Sequence, residues 1–141
     1  MNDLYFVKLQ LLQKELIEIK KNAKWKFETH HQAVYDFVIK GLKSITFTVN
    51  DYTITIKIGN EDFGFKHLLL RHYGTGSEGE ITALDILKIG NVIKANIEVP
   101  SKKVGRRNFI QHKNNEKYTV VLTEEKPHDL VFTFFSSLNN G

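Results

Sequence analysis

The sequence predicts one α+β domain in which helices come first and an antiparallel β-sheet packs behind them. Residues 1–40 repeat apolar side chains at helical spacing, whereas the last third alternates apolar and polar residues in three runs separated by turn residues. A length of 141 residues allows one hydrophobic core. We therefore expect a single domain over residues 1–141, with a helical part over 1–43 and a sheet-containing core over 44–141.

Two helices are predicted at the start of the chain. Residues 4–19 form an amphipathic pattern, and charges interrupt it too often for a signal peptide or a membrane span. Its apolar positions are Leu4, Val7, Leu11, Leu12, Leu16 and Ile19. Residues 28–39 form the second helix, which Gly41 ends. His30 and His31 fall in its first turn, and we expect no metal site there because adjacent residues point about 100° apart on a helix.

A β-hairpin and a further helix are predicted in the middle of the chain. Residues 44–58 alternate apolar and polar side chains on both sides of Asn50–Asp51, which suits a tight turn. Residues 81–94 return to helical spacing, with Thr82 as the N-cap and a division at Gly90–Asn91. Both segments contribute apolar side chains to the expected core.

Three strands are predicted in the last third, separated by Asn114–Asn115 and by Lys126–Pro127, and these lengths and turns suit an antiparallel meander. The strands are 107–112, 117–123 and 129–136. Successive side chains of a strand point to opposite faces, so Thr133 and Ser136 cannot both face one site if the last strand is regular. The same rule places Arg106 and Arg107 on opposite faces at the strand entrance.

Residues 65–79 hold the densest group of chemically active side chains, in the sequence FKHLLLRHYGTGSEG. The leucine run can be anchored in a core while His72 reaches the edge of a glycine-rich loop, where a ligand can approach. His67 and His72 fall about 140° apart on a helix, so we expect His72 to serve the site and His67 to be the second candidate. The alternative is a surface helix end where Arg71 and His72 only offset the helix dipole.

Basic residues exceed acidic ones, 20 to 16, and the net charge of +4 favours polyanionic partners. A basic loop at 101–107, SKKVGRR, places four cations around Gly105 and suits phosphate binding, although a solvated turn is the alternative. These cations are Lys102, Lys103, Arg106 and Arg107. The absence of cysteine excludes disulfides, thiolate zinc sites and cysteine nucleophiles.

The order of elements from Phe65 onward resembles the phage-type and polymorphic-toxin nucleases of the barnase/EndoU/colicin/RelE-like superfamily. The matching features are KHLLLRH before a loop, the helix ITALDILKIGNVI, the basic strand entry GRRNF, the strand YTVVL and the last strand VFTFFSS. The likeness covers the C-terminal half to two-thirds of the chain, and the first 40 residues lie outside it. It implies a nuclease core of helices packed on an antiparallel sheet.

The resemblance implies a metal-independent endoribonuclease toxin that cleaves tRNA or mRNA without a cofactor. Such cleavage needs a base for the ribose 2′-OH, an acid for the leaving 5′-oxygen and cations for the charged phosphorane. The implied catalytic residues are His72, His67, Arg106 and Thr133, and the implied RNA-binding residues are Arg71, Lys102, Lys103, Arg107 and Tyr118. Tyr73 or Tyr118 could stack on an unpaired base, with packing as the alternative role for either tyrosine.

The resemblance also implies RNA and a cognate immunity or antitoxin protein as partners, with no membrane partner. It implies action in the cytoplasm, after delivery as a toxin domain or expression from a phage. The acidic residues Glu78, Glu80 and Asp85 are too scattered to predict a metal. The competing classes are a non-catalytic RNA-binding or phage structural module and an immunity protein, which against a cationic toxin would more often be acidic.

Overall fold

The computed structural model describes residues 4–76, 79–113, 115–125 and 128–138. The described helices are α1 (Leu4–Asn22), α2 (Thr29–Ile39), α3 (Gly64–His72), α4 (Ala83–Leu87) and α5 (Ile89–Lys94). The described strands are β1 (Ser44–Val49), β2 (Tyr52–Lys57), β3 (Ile97–Val99), β4 (Arg106–Lys113), β5 (Glu116–Glu125) and β6 (His128–Leu138). The predicted turn residues Asn114, Lys126 and Pro127, and the acidic residue Glu78, lie outside the described residues.

All six strands form one sheet in the order β1-β2-β6-β5-β4-β3. The predicted α+β domain is confirmed, with helices at the start and β4, β5 and β6 in an antiparallel meander. One parallel contact makes the sheet mixed, because Ile54 and Thr55 of β2 lie beside Asp129 and Leu130 of β6. The predicted hairpin therefore extends the same sheet instead of forming a separate unit.

One face of the sheet forms the core with the helices. Phe109, Val120 and Phe134 lie opposite one another on β4, β5 and β6, and all three are buried. They join Leu69 of α3 and Ile93 of α5 in one hydrophobic cluster. Directly opposite residues share a face, so this register fixes which side chains of each strand point away from the helices.

Helix α1 buries a narrower stripe than its sequence pattern predicted. Leu12 and Leu16 are fully buried, but Leu4, Val7 and Leu11 are 48%, 58% and 50% exposed. The exposed side chains lie about 120° around the helix axis from the buried leucines. The contacts of α1 with α2, α3 and α4 cover only the side of Leu12 and Leu16. The exposed row of α1 therefore corrects the prediction that all its apolar positions face the core.

The predicted helix over 81–94 is two short helices that meet at Lys88, not at Gly90–Asn91. Thr82 is the N-cap, as predicted. Gly90 has a different role: a β-carbon there would lie 2.5 Å from Cδ2 of His30. This glycine permits close packing of α5 on α2 rather than a helix break. No helix in the described parts of the chain is long and apolar enough to cross a membrane.

Candidate active site

Helix α3 carries the two candidate histidines, and its packing sets their direction. Phe65, Leu68 and Leu69 are buried, and His72 shares their side of the helix because it follows Leu69 by three residues and Leu68 by four. His67 lies about 140° around the helix from His72. The helix ends at His72, because Tyr73 adopts an extended backbone with φ −86° and ψ 121°. His72 therefore occupies the last helical turn, as the leucine run predicted.

Helix α1 holds the C-terminal end of α3. The Lys8 ammonium donates hydrogen bonds to the carbonyls of Leu69, Leu70 and Tyr73 at 2.9, 3.3 and 2.9 Å. Leu69 and Leu70 lie in the last turn of α3 and Tyr73 follows it, so Lys8 acts as a cap for the helix end that is supplied by another element. The buried Tyr73 hydroxyl donates to Glu15, also on α1, which gives Tyr73 a packing role rather than a base-stacking one.

The structure brings the rings of the two histidines together, although their spacing of about 140° predicted that they would not share one face of the helix. The ring centroids of His67 and His72 lie 5.5 Å apart, edge to face, and both residues are half-buried. Helical side chains tilt toward the N-terminus, so the ring of His72 can lean back over the turn that holds His67. The tilt of the His72 side chain therefore lets the two rings meet although their backbone positions lie about 140° apart around the helix.

Burial lowers the pKa of His72, and the nearby charges of His67, Arg71 and Lys8 lower it further. A hydrogen bond with the backbone of Gly79 opposes the shift. A pKa below its ordinary value of 6.5 leaves His72 mostly neutral at pH 7. His67 donates from Nδ1 to the carbonyl oxygen of Glu61 at 2.8 Å, which leaves its Nε2 for a proton transfer.

The sheet face that points away from the helices meets this histidine pair, and we call it the open face. It is formed by Arg106, Asn108 and Ile110 of β4, Thr119 and Val121 of β5, and Thr133 and Phe135 of β6. The ring of Phe135 lies 5.9 Å from that of His72. The pair therefore stands at one edge of a surface that also carries an arginine, an amide and a hydroxyl.

Two polar atoms of the open face are buried without a hydrogen-bond partner among the described residues. They are Oγ1 of Thr133 and Oδ1 of Asn108, and both residues lie opposite Val121 on the neighbouring strand. Native proteins rarely leave such groups unpaired except at functional sites or beside water. Asn108 was not predicted as a site residue from the sequence. It lies two residues after Arg106, and the alternation of side chains along a strand is the sequence feature that would have placed both on one face.

The arginines of the basic segment separate, as predicted. The guanidinium carbon of Arg106 lies 4.0 Å from the ring centroid of Phe132, whereas that of Arg107 lies 5.5 Å from Tyr52. Arg107 pairs with the core residue Leu122 and so faces away from the histidines. Lys102 and Lys103 are exposed in the loop that enters β4.

Tyr118 does not join the predicted RNA-binding residues at the site. It lies on the helix side of the sheet, with its ring 6.2 Å from Phe134 and its hydroxyl donating to Glu116. Burial is the main cause that raises the pKa of Tyr118. Its place on the helix side favours the packing role for Tyr118. Arg71 is exposed on α3 next to His72 in the chain.

Glu28, His30 and His31 could hold a metal ion by proximity, because their potential ligand atoms lie within 4.8 Å of one another. His30 and His31 were expected to point about 100° apart. Instead, the Nε2 atoms of both rings lie near Oδ1 of Asn91, at 2.7 and 2.9 Å. Nδ1 of His31 accepts from the Glu28 N–H, so the neutral ring carries its proton on Nε2 and donates to Asn91. These hydrogen bonds occupy both nitrogens of His31, and a metal would have to break the α2 cap.

Comparison with protein-family models, curated proteins and solved structures finds no match for this chain. The candidate site is therefore interpreted from its own geometry and chemistry.

Proposed function

We propose that this chain is a metal-independent endoribonuclease in which two histidines transfer protons during RNA cleavage. The observation that carries the proposal is the contact between His67 and His72, with ring centroids 5.5 Å apart, at the edge of the open face. Arg106 and Thr133 lie on that same face. A base, an acid, a cation and a hydroxyl are the groups that such a reaction uses.

The electrostatics favour His72 as the base. Its lowered pKa keeps the imidazole neutral, so it can accept the proton of the ribose 2′-OH while the 2′-oxygen attacks phosphorus. The bond from phosphorus to the 5′-oxygen breaks, and His67, in the imidazolium form that this step requires, donates its Nε2 proton to that oxygen while Nδ1–H stays on the Glu61 carbonyl. The products are a 2′,3′-cyclic phosphate and a 5′-hydroxyl. Because the rings touch each other, the phosphate binds over both of them from the open side.

The proposed partners are RNA and a protein inhibitor. The net charge of +4 supports an RNA partner, because phosphate neutralisation drives most of the affinity of such complexes. A nuclease that acts in the cytoplasm of its host requires an inhibitor wherever that host must survive. An acidic immunity protein would complement the basic surface.

The test is incubation of the protein with total RNA in excess EDTA, followed by mapping of fragment ends. We expect discrete fragments that carry 2′,3′-cyclic phosphates. His72→Ala should lower the rate by about 10² to 10⁴, the usual contribution of a proton-transfer group. His112→Ala is the comparison variant, because His112 is an exposed histidine of β4 on the open face, so its loss reports a change in RNA contact without loss of the histidine pair.

Binding without cleavage would support the alternative of a non-catalytic RNA-binding module. Unchanged cleavage by a folded His72→Ala protein would remove the histidine pair from the mechanism. Loss of activity in both His72→Ala and His112→Ala would point to a general loss of RNA binding instead.

A further inference from the structure

Strand β6 contains a bulge that places an aromatic ring on the open face. Val121 lies opposite Thr133, but the next residue, Leu122, lies opposite Val131, so Phe132 is an extra residue. In a regular strand Phe132 would oppose Leu122, which is fully buried in the core. Bulges commonly redirect a side chain in this way beside functional sites.

The guanidinium of Arg106 lies over the face of the Phe132 ring. The guanidinium carbon lies 4.0 Å from the ring centroid of Phe132, which is close for a cation–π contact. Arg106 forms no ion pair with any described residue, so its N–H donors are not consumed by a carboxylate. A guanidinium that stacks by its face keeps these donors free in its own plane.

A second ring connects this contact to the helix of the histidines. Phe63 lies nearly parallel to Phe132, with centroids 6.3 Å apart and planes at 16°. Phe63 immediately precedes α3, whose far end carries His72 beside Phe135. The contacts of Phe63 with Phe132 and of His72 with Phe135 thus align α3 along β6.

We propose that Phe132 is a positioning residue that holds the Arg106 guanidinium ready for an RNA phosphate at a fixed place relative to the histidine pair. This inference rests on the proposed function. Holding a long side chain in one rotamer before binding removes part of the entropy lost when the phosphate arrives. Arg107 is not positioned for the same phosphate, because it contacts Tyr52 on the helix side of the sheet.

The kinetic test compares Phe132→Leu, which removes the ring but keeps an apolar side chain, with Phe132→Trp, which keeps an aromatic face. We expect Phe132→Leu to lower kcat/KM for RNA cleavage about two- to five-fold, the usual weight of a cation–π contact. Phe132→Trp should stay within about two-fold of the parent. In an Arg106→Ala background, Phe132→Leu should have no further effect, because the group it positions is gone. If Phe132→Leu lowers the activity of the Arg106→Ala variant by the same factor as it lowers that of the parent, the proposal is overturned.

A binding test separates this inference from the proposed function. A 2′-deoxy oligonucleotide cannot undergo 2′-OH attack, so its affinity is measured without cleavage. We expect Arg106→Ala to reduce the slope of log affinity against log salt by about 0.7 and Phe132→Leu to weaken binding in the same direction. No binding by the parent protein, or no change in Phe132→Leu, would overturn the proposal. Absence of RNA cleavage alone would overturn only the nuclease function.

Discussion

His72 depends on its immediate neighbours for both its charge and its orientation. Burial and three nearby cationic groups keep the imidazole neutral, and the Gly79 backbone bonds to it. Gly79 has φ +90°, a backbone conformation that side chains with a β-carbon rarely adopt. A β-carbon at this position would also lie 3.4 Å from Nδ1 of His72. The glycine therefore serves both the turn and the placement of the ring.

Gly79→Ala should consequently reduce both stability and cleavage rate. The strained backbone costs about 1–2 kcal/mol, and relief of this strain should shift the Gly79 backbone group that is hydrogen-bonded to His72. Gly74→Ala is the matched control, because Gly74 has φ +64° and a β-carbon there would meet no atom within 4 Å. Urea unfolding should show similar losses for both variants, while the single-turnover cleavage rate should fall only in Gly79→Ala. Equal rates in both variants would contradict the proposed contact.

The lowered pKa of His31 predicts that the stability of the protein depends on pH. Burial is the main cause that lowers the pKa of His31, and the neighbouring His30 adds to it. The unfolded chain therefore binds a proton at a higher pH than the folded chain does. The stability contribution is present above pH 6.5, the ordinary value, and is lost as the pH falls below it toward the lowered pKa.

The measurement is urea unfolding at pH 7.5 and at lower pH for the parent, His31→Gln and His72→Gln. His72 also has a lowered pKa and contributes with the same sign. Each variant should lose part of the acid-induced drop in unfolding free energy. An unchanged drop in His31→Gln would show that His31 titrates alike in the folded and unfolded chain.

At the scale of elements, α1 supports the helix that carries the histidine pair. Its Lys8 caps three carbonyls at the end of α3, and its Glu15 accepts from Tyr73. The N-terminal helices lie outside the resemblance to known nucleases, yet they hold the turn that carries His72. A change on α1 should therefore reach the site through α3.

Lys8→Met tests this support. Removing the ammonium leaves the partly buried carbonyls without their donor, and we expect about 1–3 kcal/mol of destabilisation together with a lower cleavage rate. Lys14→Met is the control, because Lys14 is an exposed lysine of the same helix. Urea unfolding and single-turnover rates measure both effects. A stability loss with an unchanged rate would limit Lys8 to a purely structural role.

At the scale of the whole molecule, the core helices cover one face of the sheet, and the RNA that we propose as ligand binds the other. The basic loop enters β4 beside Arg106, so Lys102 and Lys103 stand at one end of the open face. Under the proposed function, we expect the phosphates of a bound RNA strand to contact both the loop and the histidine edge. The distribution of charge, more than its total, should then set RNA affinity.

A double substitution of Lys102 and Lys103 to alanine should weaken binding similarly for all RNA sequences. It should also reduce the salt slope by about 1.4, since each phosphate contact on a single strand contributes about 0.7. The control replaces Lys24 and Lys26, two exposed lysines between α1 and α2, and removes the same net charge. Equal losses in the two double variants would show that the loop contributes net charge alone.

Local patterns in the sequence determined the elements and the direction of many side chains. The hairpin, the meander, the Thr82 cap and the opposite faces of Arg106 and Arg107 all follow from periods of 2 or 3.6 residues and from turn chemistry. These features depend on residues close in the chain, so spacing alone could predict them.

Only the tertiary structure decided which elements meet. The parallel contact of β2 with β6, the exposed row of α1 and the convergence of His30 and His31 on Asn91 arise between distant segments. At the candidate site, the contacts of Phe63 with Phe132 and of His72 with Phe135 likewise join α3 to β6, a strand more than 50 residues away in the chain. Residue spacing defines angles around one helix or strand, whereas close packing between elements selects which side chains finally touch.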